Sequence, residues 1–322
     1  MDHKKIGLVI GLFVILTMMY GSLPLITLHN DENALANNDQ ENINSAGSWI
    51  EDRPSSIDDN PANNPPESTS PTWAECAASK PWCRFEGGYY IIENLTTLSS
   101  WTMGIRESTA PFRVINCFLG GLYLTDVENG EIIGTDIDGR VQLDTCSNMD
   151  LIDNTIYNAH VAGILLIDDT TDHINIINNT IINNYDRGFD VLDTVSYIKI
   201  INNTFIGNGH TAIEIKGHYN EIINNTIKDH DDRGLNMYWL QNSKVTGNSF
   251  TDCGVYFQNA FSISDVRSCT FQDNRANGKP IYHYVDEVGL RPENFTNAGQ
   301  ICVFFCQNSS RSEEHTSELQ SR

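Results

Sequence analysis

The chain reads as an all-β protein, a parallel β-solenoid. Three observations carry this: a repeat of about 22 residues, a second alternating run inside each repeat, and no room in either for a helix. The repeat is plainest at I-N-I-I-N-N-T-I (174–181), I-K-I-I-N-N-T-F (198–205) and N-E-I-I-N-N-T-I (220–227). Aligned on the Thr position it extends to Cys117, Asp136, Thr155, Thr180, Thr204, Thr226, Ser249 and Thr270, at intervals of 19, 19, 25, 24, 22, 23 and 21 residues. A large apolar residue always follows, and Asn precedes in six of the eight units, Thr135 and Cys269 being the exceptions.

The second run reads Leu122-x-Leu124, Val141-x-Leu143, Ile164-x-Leu166, Phe189-x-Val191, Ile213-x-Ile215, Leu235-x-Met237 and Val255-x-Phe257. Alternation with period two marks a strand with one buried face. One unit cannot bury its own apolar side, whereas stacked coils bury it continuously. Asparagine tolerates the left-handed backbone of a sharp corner, and stacked Asn amides can hydrogen-bond from coil to coil, so an Asn ladder is expected.

Taken in order, residues 1–28 open with His-Lys-Lys and then run apolar from Ile6 to Leu28, the pattern of a signal or membrane anchor segment. The run is near the ~20 residues that span a bilayer, and no clean small-x-small cleavage site follows it, which favours a single retained N-terminal helix as anchor. Residues 29–72, rich in Asn, Asp, Pro, Ser and Glu, read as a disordered acidic spacer. Residues 73–88 are expected to cap the first coil, with Cys76 and Cys83 either disulfide-bonded or as two free buried thiols. The solenoid is expected over 89–310, with an excursion at 277–297 and a returning strand at 298–306. Residues 311–322 (RSEEHTSELQSR) look like a translated sequencing-library adapter, so that the solenoid is read as truncated.

Formal net charge is −22 over 322 residues, which argues against nucleic acid as a partner, since phosphate needs a basic face. The remaining cysteines lack C-x-x-C spacing and read as small buried residues. Of the N-x-S/T sequons, Asn178, Asn202 and Asn224 fall in the repeat, where a ladder Asn is a poor glycan acceptor. Asn94, Asn294 and Asn308 are the more accessible acceptors.

The I-I-x-N-N-T-I and G-I-x-I units, from about Tyr89 to Cys306, resemble the repeats of the pectin-lyase-like superfamily, closest to NosD-type and related prokaryotic surface β-helix proteins. The resemblance implies a single right-handed parallel β-helix, on the cell's outer face or secreted. It implies no one activity, because that superfamily spans lyases, hydrolases, epimerases and binding proteins. Polysaccharide or envelope glycan is the partner it suggests, with an envelope scaffold as the other non-enzymatic role. Copper finds no support in the scattered Met and His residues.

In the resembling sugar-cleaving proteins, the polysaccharide lies on the outer face of the strands that here begin at Gly163, Gly188, Ala212, Gly234 and Gly254. That face is expected to carry Asp190, Glu214, Asp232, His210 and Arg233 as candidate catalytic residues. Arg187, Lys216, Asn236, Tyr238 and Trp239 are candidate substrate contacts, and Asp186, Asp190 and Glu214 could hold calcium. The alternatives are a carbohydrate-recognising surface or scaffold, with these charges as solvated cross-strand pairs, and a lyase, epimerase or hydrolase acting on acidic polysaccharide.

Overall fold

A computed structural model describes residues 49–51, 56–60, 70–258 and 262–309. The chain is an all-β solenoid of about ten turns. Two short α-helices, Trp73–Ser79 and Ile263–Ser268, and a 3-10 turn at Pro292–Phe295 are the helical elements among the described residues. Each full coil contributes a strand to three parallel sheets.

The first sheet stacks the alternating runs in the expected register: Leu122, Val141, Ile164, Phe189, Ile213, Leu235 and Val255 lie on successive rungs. All seven are buried. The second sheet aligns Ile176, Ile200, Ile222 and Val245. The third aligns Ile181, Phe205, Ile227 and Phe250. Three inward rows fill the lumen, and each full burial of such a side chain contributes about 1.5–3 kcal/mol.

The Asn ladder runs through Asn154, Asn179, Asn203, Asn225, Asn248 and Asn274. Each Oδ1 accepts the backbone N–H of the ladder residue one coil earlier at 2.8–3.0 Å. It also accepts that residue's amide N–H, as from Asn179 to Asn203 at 3.0 Å. The ladder closes a corner that would otherwise leave a buried donor unpaired in every coil.

Two ends of the sequence alignment shift. Cys117 occupies the ladder column itself, its N–H donating to Thr135 Oγ1, so the Thr position of that coil is Phe118, paired with Asp136. At the other end the ladder continues to Asn274, and Arg275 stands beside Ser249. Thr270 instead pairs with Lys244 in the second sheet. The inserted helix Ile263–Ser268 lengthens this coil, and a Thr-Phe pair one strand early imitates the repeat. The sequons are also reassigned: Asn178, Asn202 and Asn224 are the exposed left-handed residues before the ladder, at φ 58, 56 and 55°.

Composition misjudges part of the segment 29–72. Strand Trp49–Glu51 pairs with Leu95–Thr97, and Ile57 is fully buried beside Ile105. One apolar residue at the right spacing suffices to seat a short strand within a polar stretch. The excursion likewise contains strand Lys279–Val285, which pairs in parallel with Gln300–Phe304. The apolar segment 1–28, most of 29–72 and the tail 311–322 lie outside the described residues; among those described, no helix is long and apolar enough to cross a membrane.

Helix Trp73–Ser79 starts with a capping box between Thr72 and Glu75. It seats Trp73 on Tyr90 and Phe112, both 5.3 Å away between ring centroids. Cys76 and Cys83 are both buried, against each other. A hydrogen bond from Cys76 holds the Cys83 thiol below its usual range.

The corner leading into the second sheet is left-handed at Asn129, Asn148, His173, Tyr197, Tyr219 and Asn242, with φ between 49 and 61°. Asn tolerates this backbone, whereas other L-residues lose about 1–2 kcal/mol each. Ring stacking returns about 0.5–1.5 kcal/mol per pair, so two stacked pairs offset only part of the strain at three such aromatic positions.

Candidate functional site

Period-two alternation decides which side chains leave the first sheet. With Phe189, Ile213 and Leu235 directed inward, the next residues face out, and Leu165 pairs with Asp190 on one side. Glu214 pairs with Asn236, and Asn236 with Tyr256. Asp190, Glu214 and Asn236 thus form one outward row, as the sequence implies.

Outward does not mean exposed here. Asp190 is 3 % accessible and Asn236 0 %, because longer side chains from adjacent rungs lie over them. Arg187 is the pivot: Nη1 donates to Asp186 Oδ2 at 2.9 Å and to Asp190 Oδ2 at 3.3 Å, while Nε reaches Glu214 Oε2 at 3.3 Å. Asn236 Nδ2 then links Glu214 Oε2 (3.1 Å) to Gln258 Oε1 (3.0 Å). Arg233 donates to Gln258 Oε1 at 3.3 Å, pairs with Asp232 at 3.3 Å, and lies 4.3 Å from the Tyr256 ring centre. His210 Nε2 stands 3.5 Å from Asp232. One polar network therefore spans four rungs.

Burial pushes Asp190 up to about 6, although Arg187 works against the rise and Glu214 adds to it. Burial likewise raises the Tyr238 hydroxyl above its usual range. An acid near 6 can exchange protons around neutrality, but this one is covered and held by a guanidinium. Asn236 Oδ1 is buried without a hydrogen-bond partner.

The three candidate calcium ligands are engaged by a side-chain cation. Asp186, Asp190 and Glu214 do come together, but around the fixed positive charge of Arg187. Among the described residues no group of three or more His, Cys, Asp or Glu stands where it could hold a metal ion. Lys216 also leaves the cluster, since its Nζ donates to the Leu192 carbonyl.

Trp239 is placed by a feature that spacing alone does not reveal. Lys216 pairs with Tyr238, yet His218 pairs with Gln241, so one extra residue bulges from the strand Arg233–Gln241. The bulge holds Trp239 at φ 41° and leaves it 49 % accessible. A bulky residue at positive φ is uncommon, and bulges re-aim side chains. Gln258 was missed in the sequence; extending the outward row of Tyr238 by one rung locates it, as the row of Asn236 leads to Tyr256.

Two grooves among the described residues lie elsewhere. One, of about 560 Å³, sits before the first sheet between Tyr123, Arg140, His160 and Tyr185. The other, of about 580 Å³, runs along the second sheet.

Residues 113–255 match the family described as "Periplasmic copper-binding protein (NosD)". Among solved structures, a double mutant of the periplasmic alginate epimerase AlgG is 10 % identical, with 74 % of this chain and 82 % of that one covered and a TM-score of 0.39. The mannuronan C-5 epimerase A-module of Azotobacter vinelandii is 13 % identical, covering 69 % of this chain and 73 % of the other, at a TM-score of 0.40. The Dettilon tailspike protein is 13 % identical, covering 66 % and 53 %, at 0.34. No curated protein sequence matches the chain.

Proposed function

We propose that this chain, a right-handed parallel β-helix protein of the pectin-lyase-like type, is exported and recognises polysaccharide on the outer face of its first sheet around Trp239. The observation that carries this reading is the bulge, which fixes an exposed indole one residue beyond the outward Tyr238, on the strand whose Asn236 links Glu214 to Gln258. A flat apolar face on the same outer surface as the partly exposed Glu214 carboxylate and Gln258 amide suits a sugar ring, which is apolar across its C–H face and polar at its rim. The network is internally paired, so it is rigid before ligand arrives and loses little freedom on binding.

Recognition is favoured over turnover because Asp190 is covered and tied to Arg187. A second reading, proton-transfer chemistry on a uronate, draws on the rise of Asp190 to about 6. The periplasmic description of the matching family supports export, with residues 1–28 as signal or anchor. Its copper-binding description finds no fitting donor set among the described residues. Burial pushes the thiols of Cys117, Cys146, Cys253 and Cys302 up to about 12, which disfavours the thiolate a metal needs.

The test is affinity electrophoresis of the full chain in gels containing polygalacturonate, alginate or neutral glucans, with reducing ends and unsaturated products assayed in parallel. Retardation that weakens about tenfold in Trp239→Ala, with unchanged melting and no products, is the expected result. Turnover abolished by Asp190→Asn would replace recognition with the enzyme. Retardation indifferent to Trp239→Ala would remove this face from the account.

A further inference from the structure

The corner column before the second sheet holds Asn129 and Asn148 on one side and Asn242 on the other, but His173, Tyr197 and Tyr219 between them. Strand register sets these residues on consecutive rungs. All keep the left-handed backbone that Asn tolerates best. The rings stack, with centroids 4.7 Å apart for His173–Tyr197 and 5.2 Å for Tyr197–Tyr219, the latter planes within 6° of parallel. Stacking offsets only part of the backbone strain, so folding alone would keep asparagine at these rungs. Tyr197 and Tyr219 are nevertheless 44 % and 50 % accessible.

Two residues further along each strand, the outward row of the second sheet carries Lys199, Glu221 and Lys244. Column and row form the two walls of the groove of about 580 Å³. These charges differ from those of the first sheet. Among the described residues none of the three is in an ion pair, and neither tyrosine hydroxyl has a hydrogen-bond partner, whereas Arg187 alone engages three carboxylates. With Asp150, which Asn175 holds at 2.6 Å, the row is neutral in sum on a chain of formal net charge −22.

We propose that this groove is a second binding site, on a different face from Trp239, for a neutral polysaccharide strand lying along the solenoid axis. The phenol edges supply an apolar wall tipped with hydroxyls, and the opposite wall supplies unpaired donors and an acceptor on successive rungs. Rungs repeat about every 4.8 Å, so a polymer of repeating hydroxyl groups meets a repeating set of partners. Local neutrality favours an uncharged chain, since the acidic surroundings repel an anionic one.

The test uses the full chain in gels containing hydroxyethyl cellulose, galactomannan or laminarin, with and without Trp239→Ala so that the first face is counted separately. The triple variant His173→Asn/Tyr197→Asn/Tyr219→Asn restores the flanking residue type and is expected to melt no lower than wild type. Its binding should weaken at least about tenfold in either background. The exposed pair Lys199→Ala/Lys244→Ala, which leaves the corner intact, should also weaken it. The proposal is overturned if none of the three polymers retards the protein, if both variants bind as wild type does, or if only polygalacturonate binds here.

Discussion

Replacing Asn203 by Ala separates the ladder from the corner that precedes it. Asn203 is fully buried, and its Oδ1 accepts Asn179 N–H at 2.8 Å and Asn179 Nδ2 at 3.0 Å. Its own Nδ2 donates to Ile176 O at 2.7 Å and to Asn225 Oδ1 at 3.2 Å. Alanine leaves the Asn179 N–H buried without an acceptor, a loss of about 1–3 kcal/mol, and removes further hydrogen bonds worth about 1 kcal/mol each. The sum is about 4–6 kcal/mol, measured as a fall in the urea midpoint at constant slope. Asn202, one residue earlier, is exposed at φ 56°, so Asn202→Gly should stay within about 0.5 kcal/mol of wild type. If Asn203→Ala costs less than about 1 kcal/mol, or no more than Asn202→Gly, the ladder is not what closes the corner.

Three other predictions follow from the same packing. Gly217 holds φ 122°, and a Cβ there would stand 1.9 Å from Val195 O, so Gly217→Ala should unfold or strongly destabilise the chain, as circular dichroism would show. Because the folded pKa of Asp190 is raised from 3.8 to about 6, its stabilisation is present below 3.8 and is lost as pH rises through about 6. The wild-type stability minus that of Asp190→Asn should therefore fall between about pH 4 and pH 7, on the order of 3 kcal/mol, in urea melts across that range; a rise would mean the Arg187 pair outweighs burial. Cys117, Cys146, Cys253 and Cys302, at about 12, should resist iodoacetamide in the native protein and react after unfolding. Labelling of all four without unfolding would contradict their burial.

Legibility in the sequence followed the strength of the period. The rows through Phe189 and Ile181 were readable because a one-residue slip would turn every apolar side chain outward. Cys117 and Thr270 were misplaced because the column is set by hydrogen bonding and by an inserted helix, neither of which alters the local Thr-Phe pattern. Asp190, Glu214 and Asn236 were found through register, yet their closure on Arg187 depends on how long side chains fold over a row. The bulge at Trp239 changes one pairing and leaves no mark in composition. His173, Tyr197 and Tyr219 carry no mark of their column in the sequence, because backbone sign at a corner is visible only in the fold.

The most direct test of glycan recognition at the first sheet is tryptophan emission during titration with the polysaccharide that retards the protein, comparing wild type with Trp239→Phe. Phenylalanine keeps an aromatic face, so the variant should still bind in the gel. The account predicts a saturable emission change in wild type that disappears in Trp239→Phe. A change that persists in the variant, or its absence from wild type at saturation, would place the sugar away from Trp239.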